Sequence, residues 1–171
     1  VLYEPFEISR GVLIPGDPSG TEYSFADWGI EGRFAGYRTV SGNVAYTDGD
    51  FYGGRRARLF GNLVWAPSPR YRTSVGFNIN AIDLPQGRFT TRILTTGFDV
   101  VFSSRLSWTN LIQYDNVSEL MGVNLRLNWI PEAGKEFFFV INHNLEDFDR
   151  DNSFHSATAD VVAKFSYTFR F

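Results

Sequence analysis

The sequence predicts an all-β chain, specifically a transmembrane antiparallel up-and-down β-barrel of about ten strands with short periplasmic turns and longer extracellular loops. Three observations predict it. The stretch Val161 to Phe171 alternates strictly: Val161, Ala163, Phe165, Tyr167, Phe169 and Phe171 fall on one face and Val162, Lys164, Ser166, Thr168 and Arg170 on the other. That is the period of a strand with one greasy and one mostly polar side. Aromatic residues make up 17% of the chain while mean hydropathy stays slightly negative at −0.18, as expected when only alternate residues face lipid. The longest unbroken apolar run is Phe137 to Ile141, far short of the roughly 20 residues of a spanning helix.

Turn signals divide the chain in order. A first strand near 3–14 is interrupted by Pro5 and Gly11, which weaken a sheet. Gly16-Asp17-Pro18-Ser19-Gly20 separates it from a second near 21–34, and Ala35-Gly36-Tyr37 leads to a third near 38–47. The polar stretch Thr47 to Gly54 precedes a fourth near 53–65, where Ala57, Leu59, Leu63 and Trp65 oppose Arg56, Arg58 and Asn62. Ala66-Pro67-Ser68-Pro69 turns into a fifth near 70–82, where Tyr71, Thr73, Val75, Phe77 and Ile79 oppose Arg72, Ser74, Asn78 and Asn80. Asp83 to Arg88 leads to a sixth near 88–102, Ser103-Ser104 to a seventh near 105–115, and Asp115 to Glu119 to an eighth near 119–130. In the eighth, Val123, Leu125, Leu127 and Trp129 oppose Asn124, Arg126 and Asn128. Pro131-Glu132-Ala133-Gly134 and Glu146 to Ser156 set off a ninth near 136–146 and a tenth near 156–171. Short and long connections alternate, as in outer-membrane barrels, and an even strand number puts both termini on the periplasmic side.

The rival reading, a soluble β-sandwich, does not explain why Trp65, Trp108 and Trp129 all lie near short turns. With Phe169 and Phe171 they make an inner aromatic girdle, and Tyr46, Phe51, Tyr52 and Tyr114 are candidates for an outer one. A one-residue slip would move the arginines into lipid, so the register is strongly specified. Residues 1–171 read as a single barrel domain, or as the C-terminal part of a larger barrel. The start at Val1 without a signal peptide suggests a removed leader or a fragment. A net charge of −3 argues against a nucleic-acid partner. The absence of cysteine excludes a disulfide scaffold and fits an envelope protein.

Several segments together resemble the C-terminal barrel region of a family of uncharacterised bacterial outer-membrane proteins, the DUF5916 family. They are Phe51-Tyr52-Gly53-Gly54-Arg55-Arg56, Trp65-Ala66-Pro67-Ser68-Pro69-Arg70, Asp83-Leu84-Pro85-Gln86-Gly87-Arg88-Phe89, Ile112-Gln113-Tyr114-Asp115, Asn124 to Ile130, and Phe165 to Phe171. The likeness extends from Glu4-Pro5-Phe6-Glu7-Ile8 onward. It implies a bacterial outer-membrane location and a longer parent chain, often with an N-terminal domain similar to carbohydrate-binding modules. It brings no activity and no catalytic residues.

Fourteen arginines against two lysines suit a charged lumen wall. Arg33, Arg56, Arg58, Arg72, Arg105, Arg126, Lys164 and Arg170 are expected to point inward, with Glu31 and Asp160 among few counter-charges. The leading expectation is a passive pore or membrane anchor favouring anions. The alternative is a plugged structural or surface-binding barrel, or a subunit of a larger outer-membrane assembly. A weak cation candidate is Asp147, Asp149 and Asp151, which lack the glycine and distal Glu of an EF-hand loop. A rim hydrolase built on His155 with Asp147 or Asp149 is the least favoured reading, with Asp50, Asp83 and Asp115 on other loops. No cofactor is expected. The expected partners are the bilayer and lipopolysaccharide, the barrel-assembly machinery through the C-terminal strand, and further strands of a parent chain.

Overall fold

The computed structural model describes residues 7–12, 23–34, 36, 38–147 and 153–168. These form ten strands: β1 (Glu7–Val12), β2 (Tyr23–Phe34), β3 (Val40–Phe51), β4 (Gly54–Ser68), β5 (Tyr71–Leu84), β6 (Gly87–Ser103), β7 (Leu106–Asp115), β8 (Leu120–Glu132), β9 (Lys135–Glu146) and β10 (His155–Tyr167). Among the described residues there is no helix. The strands make one sheet in chain order, every neighbouring pair antiparallel. Of the first strand, expected near 3–14, residues 7–12 are described and form strand; its remaining residues, and those past Thr168, lie outside the described set.

The alternation of the sequence is carried across the sheet by the register. One row runs Val40, Trp65, Thr73, Phe98, Asn110, Leu125, Ile141, Val161. Residues paired across strands share a face and alternate along them, so this row fixes both sides. One side presents Tyr46, Leu59, Leu63, Val75, Phe77, Ile79, Leu94, Ile112, Val123, Leu127, Phe139 and Phe165. The other presents Asn43, Asn62, Asn78, Asn80, Thr95, Gln113, Asn124, Asn142 and Asn144 with Arg33, Arg56, Arg58, Arg72 and Arg126. The row begins on the first residue of β3 and ends in the middle of β10. Such a steady stagger is what tilts strands in a barrel wall.

No second layer covers the apolar side among the described residues. Among the described residues only Ala45, Val100 and Val140 are buried apolar residues, and no large side chain is fully buried. Trp65 is 54% exposed and Phe165 62% exposed. A soluble sandwich would bury these against a partner sheet, so the sandwich reading finds no support here.

Two expectations are corrected. Among the described residues no pairing joins β1 to β10, so the sheet is open and the ten strands do not close on themselves. The edge of β10 is paired only to β9 and its residues are exposed almost throughout. Secondly, two of the connections expected to be long loops are tight hairpins. β3 and β4 meet at Tyr52-Gly53, and β5 and β6 at Pro85-Gln86. Tyr52 has φ 46° and Gly53 φ 76°, the paired positive values of a type I′ turn whose twist suits flanking strands. The polar residues of Thr47 to Gly54 and Asp83 to Arg88 are absorbed as strand, because antiparallel pairing satisfies the backbone whatever the side chains. With β4, β5 and β6 at 15, 14 and 17 residues, these hairpins are longer than the roughly 9–11 residues that span a bilayer.

Candidate functional site: the polar face of the sheet

The register places Arg33, Arg56, Arg58, Arg72, Arg126 and Lys164 on the polar face. Arg105 departs from expectation. It sits in the turn between β6 and β7, where its Nη1 donates to the Pro131 carbonyl at 2.9 Å. A residue beside a turn has no strand partner to fix its side, so alternation alone misplaces it. Arg170 lies outside the described residues.

Most of these cations lie against neighbouring side chains of the sheet. Arg33 grips Glu31 with Nε at 2.9 Å and Nη2 at 2.7 Å, and Asn43 donates to the same carboxylate at 3.2 Å. The Arg58 Nε donates to the Asn78 Oδ1 at 3.0 Å, while its guanidinium stacks 4.2 Å from the Phe60 ring centre. Asn80 ties the same Asn78 oxygen to Thr91, at 3.3 and 3.0 Å. Arg56 lies over Phe51 at 4.6 Å and Arg126 over Phe138 at 5.4 Å, contacts that hold a cation flat against a ring. Asn124 donates to Asn142, and Asn144 to Thr158 at 2.9 Å. An amide-lined hollow of about 370 Å³ opens over Gly122 between Gln113, Asn124, Asn142 and Asn144.

Counter-charges are more numerous than the sequence reading allowed. Asp27, Asp99, Asp115, Glu136 and Glu146 join Glu31 and Asp160 on this face. Asp99 stands opposite Arg72 in the register. The face is therefore of mixed charge, not basic throughout. Strand pairing decides which carboxylates share the arginines' side, and separate segments hide this until they are aligned.

On the apolar face, Trp65, Trp108 and Trp129 all lie near the end formed by the β4–β5, β6–β7 and β8–β9 turns, with Phe165 and Tyr167 beside them. Phe169 and Phe171 lie outside the described residues. Lys135 donates to Glu132 at 2.7 Å at this end and keeps the Glu132 carboxyl below its ordinary pKa. At the opposite end Tyr46 packs against Trp28 at 5.5 Å, and Tyr114 against Phe154 at 6.0 Å. Trp28 was not anticipated. Phe51 is corrected: it lies on the polar face under Arg56.

The acidic-loop residues Asp149 and Asp151 lie outside the described residues, and Asp147 is buried. No group of three His, Asp or Glu side chains able to hold a metal occurs among the described residues. His155 opens β10 opposite Glu146. Asp83 is engaged by Arg88 at 2.8 Å, which raises the Arg88 pKa above its ordinary value. The pairing of β9 with β10 instead brings the His143 ring Nε2 to 2.8 Å from the Ser156 hydroxyl. No spacing signal in the sequence announces that contact. No protein-family model, curated protein or solved structure matches the chain.

Proposed function

We propose that this sheet is part of the wall of a bacterial outer-membrane β-barrel that further strands complete, and that it acts as a passive pore or membrane anchor with the polar face towards the lumen. The observation that carries the reading is the uncovered apolar face, continuous from β3 to β10 and bordered by aromatics at both ends. A monomer in water rarely exposes an apolar patch larger than a few hundred Å², whereas lipid requires one. The open edge of β10 supports completion by other strands, because an unpaired backbone edge is not tolerated in hydrocarbon. The DUF5916 resemblance fits a longer parent chain. Arginines laid along the wall by Phe51, Phe60 and Phe138 favour an open lumen over a filled one.

The test is planar-bilayer conductance of the parent protein. Arg72→Glu and Arg126→Glu should move the ion permeability ratio towards cations. Conductance with unchanged selectivity would place these arginines away from the ion path, and absence of conductance would leave the anchor.

A further inference from the structure

The apolar face carries arginines at one end. Arg55, Asp83 and Arg88 form its outermost row across β4, β5 and β6, followed inward by Ala57, Ala81 and Thr90, then by Leu59, Ile79 and Arg92. The small side chains of the middle row leave a hollow of about 430 Å³, with Arg55 and Arg88 on its wall. Arg55 gives Nε and Nη2 to Asp48 at 2.6 and 3.0 Å, and Arg88 gives Nε to Asp83 at 2.8 Å. These carboxylates fix the two forks, and among the described residues the remaining N–H groups stay open to a ligand. Asp50 stands opposite Arg55, so the excess positive charge lies on the β6 side, at Arg88 and Arg92. The Arg92 guanidinium has no hydrogen bond or ion pair among the described residues. It lies one alternate position beyond Leu94, which pairs with Tyr114 of the end aromatics. Among the described residues it is thus a cation without a partner on the lipid side, just past the aromatic level, where phosphate groups of a bilayer lie.

We propose that Arg88 and Arg55 on the wall of this hollow, with Arg92 one alternate position past Thr90, bind a phosphorylated headgroup of an outer-leaflet lipid. The inference rests on the membrane reading above. Arginine forks match phosphate oxygens in pairs, and clustered basic side chains at headgroup level recognise anionic lipid. The small row beneath them admits the group close to the backbone.

Two readouts on the full protein separate the two claims. Flotation with phosphatidylcholine vesicles tests membrane insertion, and failure to float overturns the membrane reading. Native mass spectrometry in detergent then follows adducts of bis-phosphorylated lipid A, of lipid A stripped of its phosphates, and of inorganic phosphate. Bis-phosphorylated lipid A should bind, and Arg92→Gln or Arg88→Gln should weaken it about tenfold or more, as expected for loss of a charge-assisted contact. Arg92→Gln removes no partner among the described residues, and flotation of the variant reports whether it still folds. Equal binding of stripped and phosphorylated lipid A, or unchanged binding in both variants, overturns the headgroup site while leaving a floating protein in the membrane. Displacement of lipid A by millimolar inorganic phosphate overturns the lipid assignment in favour of a general anion site.

Discussion

Arginine scanning along β8 tests which side of the sheet meets lipid. Met121, Val123, Leu125, Leu127 and Trp129 share the apolar face, and Asn124 and Arg126 the polar one. Leu125 lies near the middle of Leu120–Glu132, with Met121 near one end. Arginine at the bilayer midplane of a barrel's outer face costs about 2–4 kcal/mol, falling to about 0–1 kcal/mol near the interface. Leu125→Arg is therefore expected to lower the folding equilibrium constant by about 30- to 900-fold, and Met121→Arg by about fivefold at most. Asn124→Arg, one residue away but facing the other side beside Arg126, should have little effect. The assay is urea titration in lipid vesicles followed by tryptophan fluorescence. The depth dependence is the diagnostic part, since a buried soluble core would penalise any of these apolar positions without regard to height. A flat profile from Met121 to Leu125, or a larger loss at Asn124 than at Leu125, would refute the assignment.

Three further outcomes are expected. Gly42 has φ 134°, and a Cβ there would collide with the Asn62 carbonyl oxygen; Gly42→Ala should destabilise by about 1–3 kcal/mol or more, read by the same titration. Trp65, Trp108 and Trp129, each kept as the sole tryptophan, should be quenched more strongly by lipids brominated near the headgroup than near the chain end, whereas deep quenching would displace the girdle. Lys135 depresses the Glu132 pKa, so their pairing stabilises the fold above the ordinary carboxylate range and is lost as pH falls through the lower folded value; Lys135→Gln should abolish that part of the acid dependence, and an unchanged acid profile would count against the pairing.

Backbone alternation made much of the fold legible in advance. In segments such as Leu59 to Trp65 and Val123 to Trp129, side-chain period alone assigns strand and face, because successive residues of a strand point to opposite sides whatever they pair with. The same reasoning put Arg33, Arg56, Arg58, Arg72, Arg126 and Lys164 on one side, as the register does. It misplaced Arg105, which sits in a turn where alternation lapses. It also took Asp83 to Arg88 for a loop, since polarity there resembles a connection although the backbone pairs through it.

Alternation within single segments carries the local facts: strands, their two faces, and the gathering of tryptophans near short turns. Which strands meet, and at what stagger, follows from the assembled sheet. That pairing set Asp99 opposite Arg72, brought His143 to Ser156, and lined up Ala57, Ala81 and Thr90 beneath Arg55 and Arg88. It also left β1 and β10 unjoined among the described residues. Each of these depends on alignment between segments far apart in the chain, and period-two patterns repeat identically at every even shift. The faces can therefore be read from one strand, while the neighbours across them require the assembled sheet.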